Sequence, residues 1–521
     1  MAKRKAKPVL LTLAARVKRA QQQLLLEETQ LRRDALKMRR VALSTYRSAE
    51  KNRTNRDWRT KPSSADSAIL PDLSTLVERA RAATRDDCLA ASIKRAFVRN
   101  VVGKGIGCYP ATLAIGGSEL YDTQVGRAFW DWSSRRELCD MERRRSFAQV
   151  QRWAVGEMIE AGDAFIVMSE VTQPDWSKRL VLQLVESEQL DRYRITHHDD
   201  DDDITRDVRG GVEVDQYGAA VAYWIHPQNP HDFRGRQSGL RVTGNDSVRI
   251  MADRVCHVAD PERARQTRGV TRFAPSLGRL RNLDDYDFAQ VLAAKAEACI
   301  GLVIKSPTTT PNLLGMAQPV DEDGGATRKD TDGNDELAMQ PLMVARLNEG
   351  EDITAFTPTR PGGMYEPFHR TQARVIAAGT GISFDQAMRD FSQGTYSSQR
   401  QGMLEDQREY EPLQQLVIDC LCRPVYEAWL KIQAWNFALP ISAANLLDRW
   451  SVWSYADWRP DGWAWIDPKN EADATTLELD AGLTTKARVL ARRGEDYREI
   501  ARERAEEIEF ERSLGLPGTM P

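Results

Sequence analysis

No stretch of this sequence approaches the roughly 20 consecutive apolar residues that a membrane-crossing helix needs. Its first residues show no apolar signal core followed by a small-residue cleavage site. The expectation is a protein made and used in a cytoplasm, with no membrane partner. Cysteine is sparse and scattered: Cys88, Cys108, Cys139, Cys256, Cys299, Cys420 and Cys422 make an odd seven, with no CxxC pair and no histidine at zinc spacing. That excludes a disulfide framework and a structural zinc site, and the thiols read as reduced, mostly buried small apolar groups. A nucleotide loop is missing too. VGKGIG (102–107) has the glycines and the lysine, but a Walker loop needs Ser or Thr after the lysine, and Lys104 is followed by Gly105. With Pro110 close behind, the segment reads as the turn that ends a helix. No cofactor is implied, and no internal repeat is evident.

Net charge is nearly absent over the whole chain, −3, but it is unevenly spread. Residues 1–61 hold 18 Lys and Arg against 5 Asp and Glu, which is +13, so the remainder carries −16. An acidic body on a basic arm lacks the whole-chain basic excess with which a protein grips nucleic acid tightly. At 521 residues, 41% of them apolar, the chain exceeds one ordinary core, and roughly two to four packed units are expected. The arm places Leu13, Val17, Ala20, Leu24 and Leu31 near helical spacing among Lys18, Arg19, Arg32 and Arg33, as an exposed amphipathic helix would.

A helical pattern runs from Leu70 to Val102 and stops at Gly103, Gly105 and Gly107. Strands are expected at 164–171 and 181–190, and again in GVEVDQYGAAVAYWI with a turn at 216–218. HHDDDDDITRD (197–207) is the most unusual composition. Its carboxylates suit a hard divalent cation, yet neighbours in a run point apart and repel, so a solvated loop is the plainer reading. Arg263, Arg265 and Arg268 precede a long amphipathic helix over 275–299, ~36 Å at 1.5 Å per residue. Leu277, Leu280, Leu283, Phe288, Val291, Leu292 and Ala298 form its apolar stripe, and Asp284, Asp285 and Asp287 sit near its middle. A β-rich excursion fills 300–361. A helix at 365–379 follows, then a polar loop, a third long helix over 397–435, and a Trp-rich tail with charged helices. Trp450, Trp453, Trp458, Trp463 and Trp465, with Pro460 and Gly462 among them, suit packing between helices better than base stacking.

In order and spacing, RNVVGKGI, EAGDAFIVM, LQLVESEQLD, GVEVDQYGAAVAYWIH, RQTRGVTRFAPSLGRLRNLDDYDFAQVLAAKAEA, LNEGEDITAFTP, IAAGTGISFDQAMRDFSQGTYSSQRQGMLE and WIDPKNEADA resemble the lambda-type family of phage portal proteins. The resemblance covers most of the chain from Tyr46 to Leu514. It implies an α+β, multidomain portal fold of wing, stem, clip and crown, assembling into a ring with long stem helices. Carried over, it reads 1–61 as a basic arm, 62–270 as wing, 271–299 as a stem helix and 300–361 as clip. The returning stem helix is then 362–384, the tunnel loop 385–396, the long wing helix 397–440 and the crown 441–521. Phe384 stands where the family often has Tyr, and the His197–Asp203 run is longer and more acidic than that loop usually is.

What the resemblance implies is a non-enzymatic homo-oligomer of about twelve copies at one capsid vertex of the virion, assembled in the host cytoplasm. Double-stranded DNA would pass through it during packaging and ejection. A terminase large subunit and then a head-tail adaptor would dock on it, with major capsid and scaffolding proteins around it. Arg389, Asp390, Gln393 and Tyr396 are the tunnel-loop candidates, Arg389 for transient phosphate contact, and no residue is catalytic or metal-binding. Competing readings are a metal-dependent nucleic-acid enzyme built on His197, His198 and Asp199–Asp203, and a scaffold or minor capsid protein without a channel.

Overall fold

The structure, a computed structural model, describes Gln30 and residues 62–199, 204–232, 247–304, 327–329, 335–337, 343–346, 365–392, 394–463 and 468–514. By packing the chain divides into Met1–Ser64 and Ala65–Pro521. The basic arm, Gln30 apart, lies outside the described residues, and the second unit is described here.

That unit opens with α1 (Ala65–Ile69), α2 (Leu73–Asp86) and α3 (Cys88–Val101). The sequence pattern suggested one helix from Leu70 to Val102, but the structure breaks it at Asp87. There the backbone turns extended (φ −100°, ψ 126°) and the carboxylate accepts the Ala90 N–H at 2.9 Å. Aspartate satisfies a helix N-terminus better than it continues a helix, which is why the break falls on it. As expected, α3 ends on the glycine turn, with Gly103 at φ 56°. A short strand β1 (Gly107–Pro110) precedes α4 (Glu119–Ser134), α5 (Arg136–Cys139) and α6 (Phe147–Ala161).

Two antiparallel sheets follow. In the first, β2 (Asp163–Thr172) lies between β3 (Lys178–Val185) and β9 (Val255–Ala259). The second is a meander of β4 (Thr196–Asp199), β5 (Ile204–Arg209), β6 (Val212–Val214), β7 (Ala220–Ile225) and β8 (Val248–Met251). The anticipated turn at 216–218 joins β6 to β7, and Asp215 takes up the Tyr217 and Ala219 N–H groups at 2.9 and 2.8 Å. β2 is buried over its first six residues, and strand alternation sends them to two different faces. Ala164, Ile166 and Met168 face the helices, while Phe165 and Val167 face the second cluster with Val212, Tyr223 and Ile225.

The 197–207 run departs from the solvated-loop reading. His197 and His198 pair through their backbones with Arg206 and Thr205, so β-branched Thr196, Ile204 and Thr205 carry the ladder; residues 200–203 lie outside the described residues.

The remaining elements are α7 (Leu277–Cys299), β10 (Ile300–Ile304), β11 (Thr327–Lys329), β12 (Asp335–Leu337), β13 (Met343–Arg346), α8 (Tyr365–Thr380) and α9 (Phe384–Met388). β10 pairs in parallel with β13, and β11 antiparallel with β12; most of the rest of 300–361 is outside the described residues. The long helix expected over 397–435 is α10 (Tyr396–Val417), a π-turn (Ile418–Cys422) and α11 (Arg423–Trp435) in succession. The widened turn stands just before Pro424, whose ring would otherwise meet the Cys420 carbonyl four residues back. Then come α12 (Ala443–Asp448), α13 (Trp450–Trp453), β14 (Ala456–Arg459), α14 (Pro468–Asp480), α15 (Lys486–Arg492) and α16 (Tyr497–Ser513).

One core gathers these pieces. It runs from Ala80 and Phe97 through Leu280, Ile376 and Tyr410 to Trp429 and Trp453. Phe129 is its hub, with ring centroids of Tyr426, Trp429 and Trp132 at 5.1, 5.2 and 5.4 Å. The tail is tied in by β14, which pairs antiparallel with β1 across some 350 residues, with Trp458 opposite Cys108. Trp450, Trp458 and Trp463 pack against this core, so packing is what four of the five tail tryptophans do; Trp465 lies outside the described residues. Cys139, Cys256 and Cys422 are buried free thiols, and burial pushes those of Cys139 and Cys256 up to about 12.

Two polar assemblies are buried beside it. Arg268, 2% exposed, lays its Nε and Nη2 on the two oxygens of fully buried Asp163 at 2.6 and 3.1 Å, and donates to the carbonyls of Gly210 and Ser187. Ser187 Oγ and the Gly269 N–H complete the carboxylate's partners at 2.7 and 3.1 Å. Burial alone would raise the Asp163 carboxyl, but Arg268, aided by His257, outweighs it and holds it well below the usual carboxylate range. Around it the backbones touch: Gly162 (φ 97°) and Gly269 approach so closely that a Cβ on Gly269 would lie 1.9 Å from the Gly162 carbonyl oxygen. Nearby, Arg81 on α2 bridges Glu157, Glu160 and Glu188, and Lys94 reaches Glu160 at 2.7 Å. Burial pushes the Glu157 carboxyl up to about 7, against the pull of Arg81.

Removing one partner of the first pair strands a buried charge. Asp163→Ala is expected to cost about 3–5 kcal/mol in urea unfolding, and Asp163→Ala with Arg268→Met to cost less than the two single changes summed. Additive losses would show that the pair is not coupled. For Glu157, the folded chain keeps a proton between the ordinary value of 4.5 and about 7 that the unfolded chain has lost. Its contribution is therefore complete below the lower value and fades as pH rises through 7. Glu157→Gln should gain on the wild type between pH 5 and 8 by on the order of 1–3 kcal/mol; a pH-independent difference would refute the assignment.

Candidate functional site

Helices α7 and α8 run antiparallel, and α7 alone is ~34 Å long. Ser276 Oγ donates to the Ile376 carbonyl at 3.2 Å, Arg279 to Gln372 at 3.1 Å, and at the far end Asp287 accepts from Tyr365 Oη at 3.0 Å and faces His369 Nε2 at 3.3 Å. Tyr286 lies against Phe368 there, centroids 4.8 Å apart. Of the three acids near the middle of α7, Asp287 thus locks the two helices. Asp285 pairs with Arg281 one turn back at 3.1 Å, and Asp284 is exposed. Asp87 lies near this end of α7: burial pushes its carboxyl up, and the charges of Asp284 and Asp287 add to that.

The apolar stripe foreseen along α7 divides. Leu280 and Leu283 enter the core, whereas Phe288, Val291 and Leu292 are 68, 51 and 55% exposed. The reason is the length of the partner. α8 begins at Tyr365, opposite Asp287, and among the described residues nothing covers the helix beyond that point. Three large apolar side chains on a protruding helix are a surface awaiting a neighbour.

At its other end α8 leads into Gly381 and α9. Ser383 caps α9, and it is itself fixed by Asp406 of α10, which accepts its N–H at 2.7 Å and its hydroxyl at 2.6 Å. Arg370 and Arg374 hold their guanidinium groups 5.6 and 5.4 Å from the Phe384 ring centroid, a cation–π arrangement. Arg389 ends α9 in the left-handed region (φ 55°), exposed, and with no ion-pair partner among the described residues. Asp390 turns back instead: it accepts from Ser392 N and Oγ at 3.1 and 2.6 Å and from Arg370 at 3.2 Å. Those Ser392 bonds, more than Arg370, hold its carboxyl below the usual range. From the other side Gln399 of α10 donates to the Phe391 carbonyl at 2.7 Å. Thr395 caps α10 through the Ser398 N–H.

The four loop candidates therefore separate. Arg389 is presented to solvent, Asp390 is an internal brace, Gln393 lies outside the described residues, and Tyr396 is the first residue of α10. The loop's first third, moreover, is the helix α9 (Phe384–Met388). Sequence reasoning missed Arg370, Asp406 and Gln399, which set the loop's shape. Arg370 and Asp406 lie on flanking helices, and only their polarity on a face turned toward the loop could have marked them. Among the described residues no group of His, Cys, Asp or Glu is placed to hold a metal ion. His197, His198 and Asp199 occupy consecutive positions of β4, with Asp200–Asp203 outside the description.

Comparison with known proteins gives a consistent result. Over 483 residues the chain is 26% identical to the probable portal protein of Halomonas phage phiHAP-1, covering 91% of this chain and 88% of that one. It is 24% identical to portal protein B of Escherichia phage lambda, with 88% of each chain covered, and 25% identical to the portal protein of Escherichia phage N15, with 88 and 89% covered. A chain from the neck of an empty GTA particle aligns over 86% of this chain and 94% of its own at 13% identity, with a TM-score of 0.41, a likeness too slight to build on. The model of the lambda family of phage portal proteins matches residues 51–414. With well over half its length covered by that model, the chain belongs to the lambda family of phage portal proteins.

Proposed function

We propose that copies of this chain close into a ring at one capsid vertex, through which double-stranded DNA is packaged and ejected. On this reading the ring receives first the terminase large subunit and then the head-tail adaptor. The observation that carries it is the protruding strut: Phe288, Val291 and Leu292 are exposed in a single copy and need an apolar neighbour. A heterologous contact between one strut and the next closes when the rotation between copies does.

In such a ring each side chain facing the channel recurs once per subunit. The chain outside its arm carries −16, and an acidic lining repels a rod that bears one negative charge per ~1.7 Å. DNA then slides instead of sticking. The exceptions are single cations held at set points, of which Arg389 is the one the loop presents. Asp390, braced by Arg370 and Ser392, and Gln399 keep that loop in shape, so the contact is made without ordering the loop each time. Gln393 and Tyr396 belong to the same loop and adjust its packing. The 300–361 segment, by its place between the two struts, is the part that reaches out to terminase and adaptor. The work of translocation is supplied by that separate motor.

Native mass spectrometry with negative-stain imaging of one sample should show a ring of about a dozen copies with a central hole. Phe288→Asp combined with Leu292→Asp is expected to leave a folded protein that forms no ring, and rings from that variant would remove the strut from the interface. Arg389→Glu is expected to leave rings intact while slowing or aborting DNA packaging in an in vitro packaging assay; packaging at the wild-type rate would remove Arg389 from the account.

A further inference from the structure

Against an acidic body, the surface around the end of α3 is basic. The end of α3, the glycine turn and α6 enclose a hollow of ≈ 510 Å³ lined by Lys94, Arg95, Arg99, Lys104 and Arg152, with Asp461 as its one carboxylate. Two of the six charges are already engaged. Lys94 gives its ammonium to Glu160 at 2.7 Å, and Asp461 accepts the Lys104 N–H at 3.1 Å. The other four cations have no ion-pair partner among the described residues. Arg95, Arg99 and Lys104 are exposed, and Arg152 is steadied by the Gly103 carbonyl at 3.0 Å.

Their placement is ordered. Arg95 and Arg99 are one helical turn apart on α3, so they share a face with ~6 Å between them along the axis. Lys104 follows past the helix end, in the glycine turn that closes it. Arg99 also touches α9, donating to Gln386 Oε1 at 3.4 Å. Arg389 caps that same five-residue helix. Arg99, the middle residue of the row, therefore stands beside the helix that ends at Arg389, with Arg95 before it on α3 and Lys104 beyond the helix end.

We propose that this row is a second phosphate-contacting surface for double-stranded DNA, continuing the one begun by Arg389. The inference rests on the portal reading for the presence of DNA but not on ring closure. Phosphates along one strand advance ~3.4 Å per base pair, so the ~6 Å between Arg95 and Arg99 spans about two of them. Exposed side chains on neutral supports, with no carboxylate ladder opposite, suit a mobile polyanion whose contacts form and break. A fixed protein partner would call for apolar anchors in the hollow, and Val98 is its only large apolar lining residue.

The test uses the full-length protein and a fluorescent 24-base-pair duplex, with binding followed by anisotropy between 50 and 200 mM NaCl. Arg95→Ala, Arg99→Ala and Lys104→Ala combined leave the core untouched, and the basic arm is the same in both proteins. Losing three phosphate contacts should lower the log–log salt slope by ~2.7, so that the wild-type advantage shrinks about 40-fold across that range. Duplex should also protect Lys104 from acetylation in the wild type, read by peptide mass spectrometry. An unchanged slope with Lys104 acetylated equally with and without DNA overturns the proposal. So does loss of the ring in the triple variant with DNA binding intact, which makes the hollow a subunit contact. Failure of the wild type itself to form rings would count against the ring, and the salt slope would still decide this surface.

Discussion

The long helix α7 is anchored at its root by one buried carboxylate. Asp163 opens β2 and Arg268 lies just ahead of the strut α7, 105 residues later, yet their side chains meet in an enclosure that excludes water. Such a pair is held less by its net energy than by the penalty for opening it, since either partner alone would be an unsolvated charge. The crossing of Gly162 and Gly269 lets the two backbones close to contact, and only residues without a Cβ permit that. Within four residues the chain is pinned again, by Thr271 Oγ1 and the Arg272 N–H on the Ile159 carbonyl at 3.2 and 3.1 Å. The strut thus departs from a fixed point in a fixed direction.

The same logic governs the loop after α8. One helix serves both tasks: Tyr365 and His369 grip Asp287 on α7, and Arg370, the next residue, reaches Asp390. Displacing the strut pair therefore displaces the brace on the loop. Arg272 adds a second link, pairing with Glu409 of α10 and with Asp260 at 3.0 Å. Strut, loop and long helix are mechanically one piece, which in the proposed ring would let each subunit's loop respond to its strut.

Much of this was legible in the sequence, and the gaps have physical causes. The helix ends at Gly103 and Gly379–Gly381, the β6–β7 turn and the long helices were visible because they are written in local periodicity and turn residues. The segments EAGDAFIVM and RQTRGVTRF could be matched to a family, but nothing in either says that Asp163 of one receives Arg268 of the other. Burial of both charges is a property of the assembled fold. The division of the α7 stripe was hidden for a related reason. Leu283 and Phe288 look alike in a periodic pattern, and only the point at which α8 begins separates the covered from the bare. Likewise Asp390 and Arg389 are adjacent and both charged, and only the brace from Arg370 assigns one inward and leaves the other free. The Asp87 break was written in the sequence, in an Asp-Asp pair within a helical pattern, and a closer reading of capping preference would have found it.

Charge distribution follows from the same constraint. Buried acids such as Asp163, Glu157 and Glu160 each need a basic partner, and Arg268, Arg81 and Lys94 are committed to them. Others, Asp122, Asp140 and Asp406 among them, are held by backbone N–H and hydroxyl groups instead, so the −16 of the chain outside its arm belongs in part to buried carboxyl groups. A cation that remains exposed and unpaired on such a surface is set against its surroundings. Arg281 and Arg370 are paired, with Asp285 at 3.1 Å and Asp390 at 3.2 Å, whereas Arg389, Arg95 and Arg99 have no ion-pair partner among the described residues. The distinction between a brace and a contact is drawn by whether a carboxylate stands within ion-pair reach of each guanidinium.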